Sequence, residues 1–348
     1  MNLDLFNYKL PEKLIATKPA SPRDHSRLLV FDRKSQEIKL QKFFNITQYL
    51  QAGDLMIFNN TKVFPARIFG QKTETGGKIE ILLLKNLMSK LWQVLIGGKH
   101  LKPGLKLRFK QGLEAEVIKP LEGKTWQVKF NFSGKQFNEI INKIGETPIP
   151  PYISSRLNCP ISNLKSKYQT IYAQKTGSVA APTAGLHFTK NLLNKIKNKG
   201  VDIEFITLHV GMGTFEPVSV NTIEKHQMHA EYVELKKSVI RKIRQAKQEG
   251  RRIIVVGTTS ARTLEALAEE ILNSKQIKDI KKEVNIFIFP GYKFNLVDAM
   301  ITNFHLPKST LLMLVSALIG REKTLELYNL AIKKNYRFYS FGDAMFLK

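Results

Sequence analysis

From Tyr168 onward the apolar positions switch repeatedly between two periods. Leu192, Leu193 and Ile196 recur at helical spacing up to Gly200, and residues 201–210 then read as a strand. Val239, Ile243 and Ala246 mark a basic helix stopped by Gly250, and residues 253–256 (IIVV) form a short run of the kind buried on both faces. Leu264, Leu267 and Ile271 give the next helix, residues 284–289 the next strand, and residues 310–319 and 324–332 two more helices before a last strand around 337–341. Strand and helix in alternation predict an α/β fold, a largely parallel sheet with helices on both faces.

Between residues 71 and 148 the texture differs. KIEILLL, LWQVLIGG, KLRFK, AEVI and WQVKFNF are short strand-like runs divided by GG, KPG, KQG and EGK turns, the pattern of a small β-barrel, and Phe137, Ile140, Ile141 and Ile144 add a closing helix. Pro148, Pro150 and Pro151 read as a stiff return linker. The expected organisation is a discontinuous α/β domain, 1–70 and 149–348, with the barrel inserted at 71–148. Before the barrel, GDLMIFNNT (53–61) reads as an apolar strand ending in a polar Asn59-Asn60-Thr61 turn.

Five segments fit neither period: GSVAAPTAGLHFT (177–189), LHVGMGTFEPV (208–218), HQMHAEY (226–232), VGTTSART (256–263) and FPGYKFNLVDAMITNFHLPKST (289–310). In open α/β sheets ligands bind beyond the carboxyl ends of the strands, where three of these segments are expected. His209 with Gly211 and Gly213 follows one strand, Thr258, Thr259 and Ser260 another, and Pro290 with Gly291 a third. Ser260 is placed to cap a helix whose N–H groups would hold an anion, with Arg262 nearby; an ordinary cap explains the same residues. Gly185 and His187 sit in the first segment. Asp298 and His305 flank an irregular turn and make a candidate proton-transfer pair. His226 and His229 lack a carboxylate partner at ligand spacing, so no metal site is expected.

Composition narrows the picture further. Fifty-five basic residues against 29 acidic give a net charge of +26, a field that concentrates polyanions such as nucleic acid. The excess is mostly Lys in a Lys-, Asn- and Ile-rich chain, so a compositional bias explains it equally. Two basic clusters, Arg23 with Arg27 and Lys62 with Arg67, are candidates for phosphate contact. Cys159, the single cysteine, excludes an intrachain disulfide framework and suits a reducing cytoplasm. Charges and prolines near the start interrupt any signal-peptide core, and the longest apolar run, 311–319, is about half the ~20 residues a membrane span needs. A soluble, cytoplasmic protein is expected. No GxGxxG follows a strand, and no GxxxxGK[ST] or GxSxG occurs, which disfavours a Rossmann dinucleotide enzyme, a P-loop NTPase and an α/β-hydrolase.

Taken together, LPEKLIATKPASPRDHSRLL, YQTIYAQKTGSVAAPTAGLHF, ITLHVGMGTFEPV, HQMHAEY, VVGTTSARTLEA, TNFHLPKSTLLMLVSALIG and YRFYSFGDAMF resemble, along essentially the full length, the S-adenosylmethionine:tRNA ribosyltransferase-isomerases of queuosine biosynthesis. Met212 and Glu216 stand where the family commonly has Ala and Gln, and Ala261 where it has Val. The resemblance implies that S-adenosylmethionine gives its ribosyl carbons to the aminomethyl group of a 7-deazaguanine at the wobble position of a tRNA with a GUN anticodon. Adenine and methionine leave, and an epoxyqueuosine results. It also implies a monomer without a separate cofactor, S-adenosylmethionine being a co-substrate. On that reading His209, His187 and His305 are candidates for the base, with Asp298 as orienter or acid. Gly185, Gly211, Gly213 and Thr258 to Ser260 are candidates to seat the co-substrate, and Arg262 to pair with its carboxylate. Arg23, Arg27, Lys62 and Arg67 are the tRNA candidates. An S-adenosylmethionine-dependent RNA methyltransferase and a non-catalytic RNA-binding protein are the rival readings; the first lacks its expected Gly-rich loop, and the second leaves five polar loop clusters unexplained.

Overall fold

The computed structural model describes residues 1–150, 153, 166–211, 218 and 220–348. Cys159, Pro151, Met212, Gly213 and Glu216 lie outside the described residues. The chain forms two compact units: Met1–Thr61, Gln169–Lys175 and Pro182–Lys348 make the first, Lys62–Tyr168 and Thr176–Ala181 the second. The strands before and within the second unit are β1 (Arg27–Phe31), β2 (Ile38–Lys42), β3 (Leu55–Asn59), β4 (Thr61–Val63), β5 (Arg67–Lys72), β6 (Lys78–Met88), β7 (Leu91–Gly97), β8 (Lys106–Phe109), β9 (Glu114–Pro120) and β10 (Thr125–Phe130). After helix α1 (Gly134–Ile144) come β11 (Lys175–Ser178), α2 (Lys190–Asn198), β12 (Asp202–Leu208), β13 (Glu231–Leu235), α3 (Lys237–Gln248) and β14 (Ile253–Val256). The chain ends with α4 (Thr258–Ala266), α5 (Ala268–Asn273), β15 (Ile280–Val284), β16 (Ala299–Asn303), α6 (Thr310–Ile319), α7 (Arg321–Lys333) and β17 (Ala344–Leu347).

The first unit is built on a nine-stranded sheet in the order β15-β13-β12-β3-β14-β16-β17-β1-β2. Its centre is parallel: β12, β3, β14 and β16 run the same way, while β13, β15, β17 and β2 add antiparallel contacts around them. Every residue of β3, β14, β16 and β17 is buried, so apolar layers cover both faces of the central strands. On one face Met56, Phe58, Ile254, Val256 and Ile301 pack with Phe188, Leu192 and Ile196. Thr189 and Ser309 cap α2 and α6 through the N–H groups of Leu192 and Leu312, which fixes where those helices begin. Among the described residues no helix is long and apolar enough to cross a membrane.

Two expected strands are placed differently. Residues 285–289 are not extended into the sheet, because β15 stops at Val284 and the chain beyond it is held by a carboxylate instead. Glu265, at the end of α4 and almost fully buried, accepts the N–H groups of Leu296 and Val297 on Oε1 and that of Asn295 on Oε2, each at 2.9 Å, with the Tyr292 hydroxyl at 3.1 Å. The final strand is β17, not 337–341. There Asp343 accepts the N–H groups of Arg27 (2.9 Å) and Arg337 (2.8 Å), and a Cβ at Gly342 would lie 2.5 Å from the Arg337 carbonyl oxygen, so the chain turns tightly before it pairs.

The second unit is a closed barrel, β10-β7-β6-β5-β8-β9, antiparallel throughout. It begins before residue 71, since β5 pairs with both β6 and β8 and closes the wall. Ile68, Ile79, Ile81, Leu83, Val94, Leu107, Val117 and Val128 fill it, and Phe137 of α1 stacks on Trp92 at 5.1 Å.

Glu265→Ala strands the buried N–H groups of Leu296 and Val297, each costing ~1–3 kcal/mol when left unpaired, and releases the half-buried one of Asn295. Urea unfolding is expected to show a loss of about 3 kcal/mol or more, and a change below 1 kcal/mol would mean that the 292–297 loop does not depend on this carboxylate.

Candidate active site at the carboxyl edge of the parallel strands

Because β12, β3, β14 and β16 are parallel, their carboxyl ends lie along one edge, and the residues just beyond them come together. The centre of that edge is Asn59, the last residue of β3. Its Oδ1 accepts the N–H groups of Leu208 and Thr61, both at 3.1 Å, and its Nδ2 donates to the Leu208 carbonyl (3.0 Å) and to Thr259 Oγ1 (3.4 Å). Asn60 accepts from Thr207 Oγ1 at 2.7 Å, and its carbonyl takes the N–H groups of Gln174 and Lys175. One short polar run thus ties the ends of β3 and β12 to the start of α4. By sequence alone the run reads as a turn; the signal for its larger role is three polar side chains ending a fully apolar strand.

His209 follows β12 at this edge. Thr61 Oγ1 lies 2.8 Å from its Nδ1 and also 3.4 Å from the Lys175 carbonyl, which can only accept. If the hydroxyl proton goes to that carbonyl, Nδ1 is the protonated nitrogen and Nε2 carries a lone pair. The ring stacks on Tyr232 at 5.9 Å, and its pKa is lowered first by burial, with Lys175 adding to the effect and Glu234 opposing it. His209 is therefore neutral at pH 7, half-buried and able to take a proton.

Beside it, Arg262 and Glu231 form a buried ion pair, Nη1 to Oε2 at 2.6 Å, with side chains 7% and 4% exposed. Glu231 Oε1 accepts the Gly211 N–H at 3.2 Å, and among the described residues the buried Arg262 Nη2 has no hydrogen-bond partner. Glu231 was missed because HQMHAEY was read as irregular, whereas EYVEL is strand β13 with Glu231, Val233 and Leu235 facing inward. Thr258 and Thr259 open α4, whose cap position is Gly257 at φ +89°, with no side-chain cap. Ser260 does not cap: its hydroxyl donates to the Val256 carbonyl at 2.8 Å.

The other candidates have different surroundings. His187 is buried with both nitrogens engaged, Nδ1 with Ser26 Oγ (2.8 Å) and Nε2 with Asn303 Nδ2 (3.1 Å), and it stacks on Phe43. Burial, then Arg337 and Arg23, push its pKa down to about 3. His305 lies in an aromatic cluster: Tyr328 Oη and Thr302 Oγ1 each sit 3.3 Å from its ring nitrogens, Tyr8 donates to its carbonyl, and burial lowers its pKa to about 3. Asp298 is no partner for it. Asp298 precedes β16 and accepts the Ile253 N–H at 2.8 Å, so the five residues of β16, roughly 17 Å of strand, separate it from the edge where His305 emerges. Gly185 has a packing reason, since a Cβ there would lie 1.9 Å from the Tyr172 hydroxyl oxygen.

Three of the four basic candidates are engaged internally. Arg23 donates to the Gln169 carbonyl (2.6 Å); Arg27 donates to that of Lys334 (2.6 Å) and lies 3.9 Å over the Tyr336 ring; Arg67 pairs with Glu80 at 3.1 Å. Lys62 is exposed. Among the described residues no His, Cys, Asp and Glu cluster has the arrangement of a metal site.

Buried neutral histidines have a pH signature. His187 and His305 hold folded pKa values near 3 against the ordinary 6.5, so the unfolded chain binds protons first, and stability declines as pH falls below about 6.5 and continues down towards 3. His305→Gln is expected to flatten that slope in denaturation measured from pH 7 to 4; an unchanged slope would show that His305 titrates normally.

The whole chain has relatives. The family model described as "Queuosine biosynthesis protein" matches residues 3–347. The S-adenosylmethionine:tRNA ribosyltransferase-isomerase of Fusobacterium nucleatum is 52% identical over 345 residues, covering 98% of this chain and 95% of the relative. That of Halothermothrix orenii is 47% identical over 349 residues and 100% of both chains. The crystal structure of S-adenosylmethionine tRNA ribosyltransferase from Thermotoga maritima matches at 36% identity and a TM-score of 0.57, over 99% of this chain and all of that one. With both the order of its motifs and its fold shared end to end with these proteins, the chain belongs to the queuosine biosynthesis protein family.

Proposed function

We propose that this protein transfers and isomerises the ribosyl group of S-adenosylmethionine onto the aminomethyl nitrogen of 7-aminomethyl-7-deazaguanine at the wobble position of a tRNA with a GUN anticodon, giving epoxyqueuosine. The observation that carries this reading is the full-length likeness to ribosyltransferase-isomerases, at 47–52% identity. The transfer forms a bond from the amine nitrogen to a ribosyl carbon next to the 5′ carbon, while the electron pair left on the deprotonated 5′ carbon closes the carbocycle; the amine gives up a proton. The reaction breaks the bonds from the sugar to methionine sulfur and to adenine, while the ribosyl ring rearranges to the epoxycyclopentane. The two substrates and three products balance without an added oxidant or reductant, so the reaction calls for S-adenosylmethionine as co-substrate and for no separate redox cofactor.

The sulfonium acidifies the 5′ carbon, so a neutral imidazole can begin the reaction by removing its proton. His209 fits that task better than His187 or His305. Thr61 engages Nδ1, Nε2 remains for the substrate, and burial keeps the ring neutral. Arg262 has a buried Nη2 without a partner among the described residues, suited to a methionine carboxylate oxygen while Glu231 holds the rest of the guanidinium. The uncapped first turn of α4, at Thr258 and Thr259, suits polar groups of the same co-substrate. Glu231 would position both Arg262 and the Gly211 backbone without itself touching substrate.

Purified protein with precursor-bearing tRNA and S-adenosylmethionine is expected to release adenine and methionine. S-adenosylhomocysteine in their place would identify a methyltransferase, and RNA binding without turnover a non-catalytic protein. His209→Asn keeps the size of the ring's hydrogen-bonding end and removes its basicity, so kcat should fall by ~10²- to 10⁴-fold with S-adenosylmethionine affinity and Tm nearly unchanged. In the wild type, activity should fall as pH drops through a value below the ordinary 6.5 of imidazole. Wild-type turnover in the variant would move the base elsewhere.

A further inference from the structure

The barrel carries a groove of about 700 Å³ formed by β5, β6 and β8 and the residues beside them. Its wall includes Phe69, Lys78, Arg108, Phe109 and Lys110. Phe69 is 48% exposed and lines the groove together with Phe109. Phe109 is seated by Gly70, where a Cβ would come within 2.5 Å of its ring. Among the described residues Lys78, Arg108 and Lys110 are exposed and make no ion pair, and Glu80, the one carboxylate of the wall, is paired with Arg67 at 3.1 Å. The groove therefore presents three uncompensated cations beside aromatic faces. Residues 62–150 as a whole carry 16 Lys and Arg against seven Asp and Glu.

Cations for phosphates next to ring faces for bases are what a single-stranded nucleic acid requires, and the volume lies within the ~300–1,000 Å³ typical of ligand pockets. An acidic peptide would use the cations and leave Phe69 without a purpose. We propose that this groove binds an unstacked nucleotide of the RNA substrate, with its base against Phe69 and Phe109 and its flanking phosphates on Lys78, Arg108 and Lys110. The proposal rests on the reading of this protein as a tRNA-modifying enzyme and adds a contact outside the chemistry of that reaction. Stacking is tolerant of base identity, so the groove would add affinity and orientation with little sequence preference.

The test is direct binding of a fluorescently labelled, unmodified tRNA transcript to the full-length protein by anisotropy, across a salt series. Phe69→Ala, at an exposed position, should keep the wild-type Tm and weaken binding about tenfold, within the range that loss of one stacked base gives. Lys78→Ala with Lys110→Ala should lower the slope of log K against log salt by roughly 1.4, or about 0.7 per single-strand phosphate contact. Lys119→Ala with Lys124→Ala, exposed barrel lysines outside the groove, should change it less. Phe69→Ala within twofold of wild type, or equal effects of the two lysine pairs, overturns the groove. Adenine release measured in parallel with precursor-bearing tRNA and S-adenosylmethionine separates the two readings: groove-dependent binding without release sinks the reaction and leaves the groove, and release with binding indifferent to Phe69 does the reverse.

Discussion

The amide of Asn59 is the constraint on which the candidate site at the sheet's carboxyl edge depends. A side-chain amide at the end of a fully buried strand has two acceptor and two donor positions to satisfy. Here all are met by Leu208, Thr61 and Thr259, drawn from two strand ends and a helix start. A parallel sheet brings its carboxyl ends to one edge but does not set the distances between the loops leaving it. Asn59 sets them. Through Thr61 it also orients the His209 ring, so the state of one imidazole nitrogen is traced back to the last residue of a core strand.

Burial distinguishes the three candidate histidines, of which the sequence favours His209 by its place at the carboxyl end of a strand. His187 and His305 are enclosed, their ring nitrogens occupied by Ser26 and Asn303 in one case and by Tyr328 and Thr302 in the other. They serve the fold as polar connectors inside apolar layers, which is why their proton affinity is so low. His209 has one nitrogen held and remains partly accessible. The same desolvation that makes a fully buried imidazole inert leaves a half-buried one neutral and available at pH 7.

Glu231 and Glu265 show how buried carboxylates organise irregular chain around the sheet. Each spends its oxygens on backbone N–H groups: Glu231 on Gly211 while pairing with Arg262, Glu265 on Asn295, Leu296 and Val297. A loop without ladder partners must satisfy its N–H groups elsewhere, and an ionised carboxylate is a strong acceptor for them. The 295–297 segment keeps its course because a helix residue holds it from beneath, and Gly211 is held in the same way by a strand residue.

Much of the architecture was legible in the chain itself. The IIVV run of β14, the 3.6-residue spacing in α2 and α3, the Gly200 and Gly250 stops and the turn-punctuated barrel strands are local signals, and local propensity and patterning decide them. Ordered motifs likewise carried the family. What the sequence lacked were contacts between residues far apart in it. Asp298 and His305 are seven positions apart and looked like a pair, yet β16 runs between them and sends them to opposite edges of the sheet. Thr61 and His209 are 148 positions apart and meet at 2.8 Å, as Glu231 and Arg262 meet across 31. Strand order and direction decide such meetings. They arise from the packing of the whole sheet, to which each segment contributes a part that its own periodicity does not encode.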